Sequence, residues 1–418
     1  MVKQGLRRAL ILLLAALLLV ESSPLLRTSA ERAERLAAPY TYDATRWLLD
    51  AGLTKLEAYS LPVDRYLDDE TAVGIVTRYR ALIGHEEELE GELARAAAAA
   101  MDIRAVDESL LQDLEALQVE QGSLQMAVES VLEQQAMLVL QENGFGTAGF
   151  VLPPLTFHFS ELPLALIVSP RNVIRQDANI LLDPALPLDQ RIQLETVVEE
   201  ELGVSALVVG IGGLGYYPTM VMDTTALDWI AEVIIHEWVH NFLDLHPLGM
   251  NYNTSPELRT MNETTANLIG RSMGAALMDT FYAPTATMDA VVVETEPAVE
   301  SVPLFDFRAE MYATRVEADR LLALGEIEEA EAYLEARRLV FVEAGYPLRR
   351  LNQAYFAFHG AYADEAGGAA GDDPVGEAVR TLWALSESPA AFLRTMAWMN
   401  SYDDLLAELA TQHGAHQP

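Results

Sequence analysis

From Leu110 onward, apolar residues recur at alternating spacings of four and three. Leu110, Leu114, Leu117, Leu124, Val128, Val131 and Leu138 fall in one seam, which also takes in Gln121 and Gln135. This repeat predicts a long helix with a single buried stripe. An earlier stripe of Leu82, Leu89, Leu93, Ala96, Ala100 and Ile103 predicts a partner helix, with the turn between the two at Asp102–Asp107. The pair forms an antiparallel hairpin over a segment, 43–142, that is almost entirely helical. Its seam serves either a coiled-coil dimer or, preferentially, packing against the rest of the chain. The charge run Glu86–Glu92 belongs to its solvated face.

After Gly144 the pattern changes. Phe157–Phe159, Leu164–Val168, Asn179–Leu182, Ala206–Val209 and Met220–Met222 predict strands, and Leu188–Leu202 a helix between them. Ile230, Val233, Ile234, Phe242 and Leu245 give Asp228–Leu245 a helical stripe, and Ser255-Pro256 is a strong start for the next helix. Phe305–Gly345 and Asp373–Leu409 predict amphipathic helices that wall a cleft, joined through a glycine- and alanine-rich loop, Asp364–Asp373, expected to be mobile. The fold class is therefore α+β and predominantly helical, with one small mixed sheet ahead of a helical half.

Composition adds limits. A chain of 418 residues with 51% hydrophobic and 22% charged residues has the makings of a large core. A net charge of −36 repels phosphate backbones, so no nucleic-acid partner is expected. Lys3, Arg7 and Arg8 precede an apolar run, Ala9–Val20, and the small residues Thr28-Ser29-Ala30 follow. Residues 1–30 thus look like a signal peptide or an N-terminal anchor. The body is expected to be extracytoplasmic, secreted or membrane-associated through its N-terminus. Without cysteine there is no disulfide framework, and any metal must be held by nitrogen and oxygen.

The candidate chemistry lies in His236-Glu237-Trp238-Val239-His240. Two imidazoles four residues apart share one helix face and can grip a single Zn2+ ion. Glu237, next to the first, can reach a zinc-bound water as general base. Two residues compete for third ligand. His246 completes H-E-x-x-H-x-x-x-x-x-H, but Leu243 stands where a turn-forming glycine would be needed, and Pro247 follows at once. Glu263 is the preferred candidate: it lies two turns into the next helix, where Ala266, Gly270 and Gly274 permit close packing on the histidine helix. Asn267, one turn further, is placed to accept the spare N–H of a ligand histidine. Gly210–Gly215 matches G-x-G-x-x-G, but Tyr216-Tyr217-Pro218 follows it instead of a helix. A glycine turn leading into an edge strand is expected there, and an extended substrate could pair with that edge. Tyr355, His359 and Tyr362 follow Asn352 at i, i+4 and i+7. On one helix face they would offer oxyanion donors to the open side of the metal, or else form an aromatic core stripe.

The HEWVH motif, the downstream NETTAN and the later LNQAYFAFHGAY together resemble the gluzincin zinc peptidases, and more narrowly a bacterial family of predicted aminopeptidases. The resemblance spans roughly residues 220–410. Asn267 occupies the place of the commoner aspartate, and no G-A-M-E-N strand is present. The resemblance implies an exported peptidase acting on a peptide or protein substrate, with zinc held by His236, His240 and Glu263 and with Glu237 as general base. It further implies a zincin-like catalytic core over 144–280. Residues 31–143 would form a coiled-coil-like extension, and 281–418 a helical subdomain closing the cleft. The alternative is an inactive zincin-fold binding or scaffold protein at the cell envelope.

Overall fold

The computed structural model describes residues 28–60, 67–99, 108–146, 150–283 and 305–415. The apolar run Ala9–Val20 and the turn expected at Asp102–Asp107 lie outside them. Thr28 caps the first helix among the described residues, α1 (Ser29–Ala37): its hydroxyl accepts from Glu31 N at 3.1 Å, and the Glu31 carboxylate accepts from Thr28 N at 3.0 Å. Thr28-Ser29-Ala30 therefore open a helix, whose Ala33 and Ala37 are buried.

Helix α2 (Ala44–Ser60) precedes the hairpin, α3 (Asp69–Ala99) and α4 (Glu108–Glu142). Arg78 pairs with Glu120 at 2.8 Å, and Gln118 donates to Glu86 at 2.8 Å, so the two helices run antiparallel. Leu82, Leu89 and Leu117 form the hairpin's own small core. Beyond it, Val128, Val131, Leu132, Ala136, Val139 and Leu140 turn into the main core of the molecule. Leu138 falls out of the expected seam and is 41% exposed. A helix of 3.6 residues per turn drifts from a strict 4-3 repeat, which moves the buried face to Ala136, Val139 and Leu140.

The strands are β1 (Phe157–Phe159), β2 (Leu164–Pro170), β3 (Ala178–Leu182), β4 (Val204–Gly210), β5 (Gly213–Leu214) and β6 (Thr219–Val221), with α5 (Leu188–Leu202) before β4. They make two three-stranded sheets in place of the single mixed sheet expected. One is antiparallel throughout, in the order β3-β2-β4. The other, in the order β1-β6-β5, pairs β1 parallel and β5 antiparallel to β6. The chain passes from one sheet to the other through the glycine segment after β4.

Helix carboxylates cover one edge of each sheet. Along β1, Phe157 N donates to Glu133 at 2.9 Å and Phe159 N to Glu129 at 2.8 Å, while Gln125 donates to Phe159 O at 2.9 Å. Along β4, Val208 N donates to Glu195 at 2.6 Å and Ala206 N to Glu199 at 3.2 Å. Four residues of helix rise about 6 Å and two residues of strand about 6.6 Å. Side chains at i and i+4 therefore match the outward N–H groups at j and j+2. Each carboxylate row is balanced by cations. Lys55 lies 2.6 Å from Glu129 and 2.8 Å from Glu133, and Arg350 lies 2.9 Å from Glu195 and 2.7 Å from Glu199.

The remaining helices are α6 (Leu227–Leu243), α7 (Pro247–Met250), α8 (Pro256–Leu277), α9 (Phe307–Ala323), α10 (Ile327–Glu343), α11 (Gln353–His359), α12 (Pro374–Leu385), α13 (Pro389–Ala397) and α14 (Tyr402–Ala415). The architecture is α+β and predominantly helical, as expected. The largest core joins α3, α4, α6, α8, α12, α13 and α14, with α6 and α8 at its centre. A Cβ added at Gly270 would lie 2.9 Å from Glu232 O, and one at Gly274 would lie 2.8 Å from Glu232 N. The small residues of α8 do permit the close approach that their spacing predicts. No helix among the described residues is long and apolar enough to cross a membrane.

Lys55, Glu129 and Glu133 are at most 4% exposed, so removing the cation strands Glu133 and leaves Glu129 with His158, at 3.0 Å, as its remaining ion-pair partner. Lys55→Met is expected to cost about 3–5 kcal/mol in urea unfolding. Arg78→Ala, which breaks an exposed ion pair with Glu120, should cost less than about 1 kcal/mol.

Candidate metal centre

Ile230, Ile234, Ile235, Trp238, Val239 and Leu243 bury α6 in the core, and Trp238 fixes its rotation by donating Nε1–H to Pro153 O at 2.8 Å. The opposite face presents His236 and His240 one turn apart, with their Nε2 atoms 3.0 Å from each other. From α8, Glu263 Oε2 approaches to 3.6 Å from His236 Nε2 and 3.5 Å from His240 Nε2. The three ligand atoms lie within 4.8 Å of one another.

Two observations show that this group could hold a metal ion. Two ring nitrogens pointed at each other can share only one proton, whereas a cation accepts a lone pair from both. Glu263 Oε2 is buried and has no hydrogen-bond partner, while Oε1 accepts from the Tyr252 hydroxyl. Electrostatics agree with a divided pair. Burial, helped by the charge on His240, pushes His236 down to about 4. For His240, burial acts downward, but the Glu263 carboxylate outweighs it and raises the ring to about 9. Burial acts upward on Glu263, and His240 overcomes it to hold the carboxylate at about 2.

Surrounding amides orient the rings. Asn262 Oδ1 lies 2.8 Å from His240 Nδ1, which places the proton there and turns the Nε2 lone pair inward. Asn267 lines the same cavity as His236 and donates Nδ2–H to Asp364 at 3.0 Å. Asn262 and Tyr252 were not expected from the sequence. Adjacency to Glu263 could have pointed to Asn262, but Tyr252 lies outside the long helices, where no periodicity marks it.

Glu237 lies against the glycine segment. A Cβ at Gly213 would fall 2.9 Å from its Cγ and Cδ, and one at Gly215 would fall 3.4 Å from its Oε2. The glycines do not lead into the edge strand, as the sequence suggested; Gly213 and Leu214 are that strand, and the residues after them form the central one. A cavity of about 540 Å³ opens here, lined by Gly213, Trp229, His236, Glu237, His359 and Tyr362 among others. Burial, opposed by His240 and assisted by Glu263, pushes the Glu237 carboxyl up to about 7.

The expected common face of Tyr355, His359 and Tyr362 does not exist, because α11 ends at His359. A Cβ at Gly360 would sit 2.9 Å from Ala369 O, so glycine alone fits the turn that follows. That turn carries Tyr362 off the helix and sets its ring 6.5 Å from the His236 ring. His359 also lines the cavity, with burial pushing its imidazole down to about 4. Tyr355 instead packs 4.3 Å from the His359 ring among apolar side chains and is not part of the cavity wall. His246 lies outside the ligand group: its Nδ1–H donates to Phe242 O at 2.8 Å, and its ring stacks on Phe242.

The loop Asp364–Asp373 is tied down, contrary to its glycine-rich composition. Asp364 and Glu365 pair with Arg271 at 2.8 and 2.7 Å, and Arg308 and Arg315 donate to Ala366 O and Ala369 O at 3.0 Å each.

The site brings together two histidines and one carboxylate that could hold a metal ion, with a second carboxyl group alongside. No family model, no curated protein and no solved structure matches the chain.

The geometry predicts one divalent ion per chain, read by elemental analysis after dialysis at neutral pH. His240→Ala and Glu263→Ala should abolish retention, His246→Ala should leave it intact, and Asn262→Ala should weaken affinity about 10- to 100-fold. Retention in Glu263→Ala combined with loss in His246→Ala would reassign the third ligand.

Proposed function

We propose that this chain is an exported zinc-dependent peptidase of the gluzincin type. The observation that carries the proposal is Glu237 lying beside a convergent His236–His240–Glu263 group whose carboxylate oxygen has no partner. Two histidines and one glutamate are among the ligand sets of catalytic zinc. The signal-like N-terminus supports a location outside the cytoplasmic membrane, free or held there by that segment.

A zinc ion held by these three residues supplies Lewis acidity, polarising a peptide carbonyl and acidifying water. The remaining steps fall to the chain's own residues. Glu237, raised by burial into the range useful near neutrality, takes the proton from the attacking water and delivers it to the leaving amine. Tyr362, beside His236 and held protonated by burial and by the charge of Glu263, donates its hydroxyl to the developing oxyanion. Gly213 and Gly215 leave the space that the Glu237 carboxyl occupies.

Glu237→Gln is expected to keep its metal and lose peptide hydrolysis by about 100- to 10,000-fold. Tyr362→Phe should lower kcat by about 100- to 1,000-fold with little change in KM, whereas Tyr355→Phe should change neither by more than about threefold. Metal retained by the wild type without hydrolysis of any member of a broad peptide library would instead assign a binding or scaffold role.

A further inference from the structure

Arg259 projects from α8 one turn before Glu263 and is only 8% exposed, yet among the described residues it forms no ion pair. Its partners are neutral. Nη1–H donates to Ala357 O at 2.8 Å, Nη2–H to Phe358 O at 3.4 Å, and Nε–H to the Tyr252 hydroxyl at 3.4 Å. A guanidinium carries five N–H groups, so two donors remain. A buried cation satisfied only by neutral oxygens is costly unless an anion joins it. Arg259 also acts on the Glu263 carboxylate through space, but the nearer charged groups there are His236 and His240 at 3.6 and 3.5 Å, and Tyr252 stands between Arg259 and Glu263.

Arg259 lines the cavity at the metal centre and also a second cavity of about 740 Å³, with Tyr252 shared between the two walls. It is the one arginine or lysine among the residues lining the first cavity. The α6 side of that cavity carries Glu232 and Asp244, one turn before His236 and one turn after His240. An anionic group therefore finds its attractive side chain on α8 and is repelled along α6.

We propose that Arg259 binds the C-terminal carboxylate of the substrate, so that the site takes short peptides with a free carboxyl end and cleaves close to it. This inference rests on the peptidase reading. It directs the substrate with its carboxyl end toward α8 and makes Arg259 a specificity determinant that touches substrate.

The test uses full-length, zinc-loaded Glu237→Gln protein and calorimetric binding of one tripeptide, Ala-Leu-Ala, as free acid, as C-terminal amide and as N-acetylated free acid. The free acid should bind at least about 30-fold more tightly than the amide. N-acetylation should leave that preference in place. Arg259→Gln in the same background should reduce it below about threefold without loss of zinc, and Arg259→Lys should restore part of it. Equal binding of acid and amide, no binding of either, or a preference that survives Arg259→Gln overturns the proposal. The acid–amide comparison needs no change at Arg259, so it holds even if the variants fold poorly. Hydrolysis by wild type is scored separately: preference without turnover of the free acid or of any member of the peptide library would support the carboxylate site and refute the peptidase reading.

Discussion

The close approach of α6 and α8 is the constraint on which the rest of the site depends. His236 and His240 are fixed by the burial of α6, but they become a three-point ligand group only because α8 comes near enough to add Glu263. Gly270 and Gly274 set that distance, since side chains there would run into the backbone of Glu232 and into His236 itself. The same helix then delivers Asn262 to the His240 ring and Asn267 and Arg259 to the cavity wall. One helix contact thus determines ligand geometry, ring orientation and the charge of the cleft together.

A second device recurs away from the metal. Both sheets are short, and short sheets have edges whose N–H groups need partners. Here α4 and α5 supply carboxylates at a four-residue spacing that fits the two-residue repeat of β1 and β4, with buried or half-buried cations behind them. The protein satisfies backbone donors with side chains instead of adding strands. That solution is compatible with a chain so rich in acid.

The sequence revealed most where the determinants are local. The spacing of His236, Glu237 and His240, and the small residues after Glu263, depend on helical geometry alone, and the structure brings those ligands together as expected. It revealed least where distant segments decide the outcome. Tyr362 leaves the expected helical face because Gly360 must clear Ala369 O, a contact across a loop. Two sheets replace one because strand pairing is non-local, and Leu138 leaves its seam because the helix drifts from a seven-residue repeat. The loop at Asp364–Asp373 looked loose by composition, yet three arginines from two other helices hold it. Arg259 and Tyr252 carry no pattern at all; Tyr252 is marked only by its hydrogen bond to Glu263, and Arg259 only by its burial without an ion pair.

The carboxylates along β1 also tie the sheet to the hairpin. Without α4, Phe157 and Phe159 would present bare amides, and the sheet they share with β6 and β5 would have an unsatisfied margin. That sheet ends in the glycine strand lying over Glu237. The surroundings of Glu237 are therefore coupled to the hairpin: the strand that lies over its carboxyl belongs to a sheet whose far margin is completed by side chains from α4.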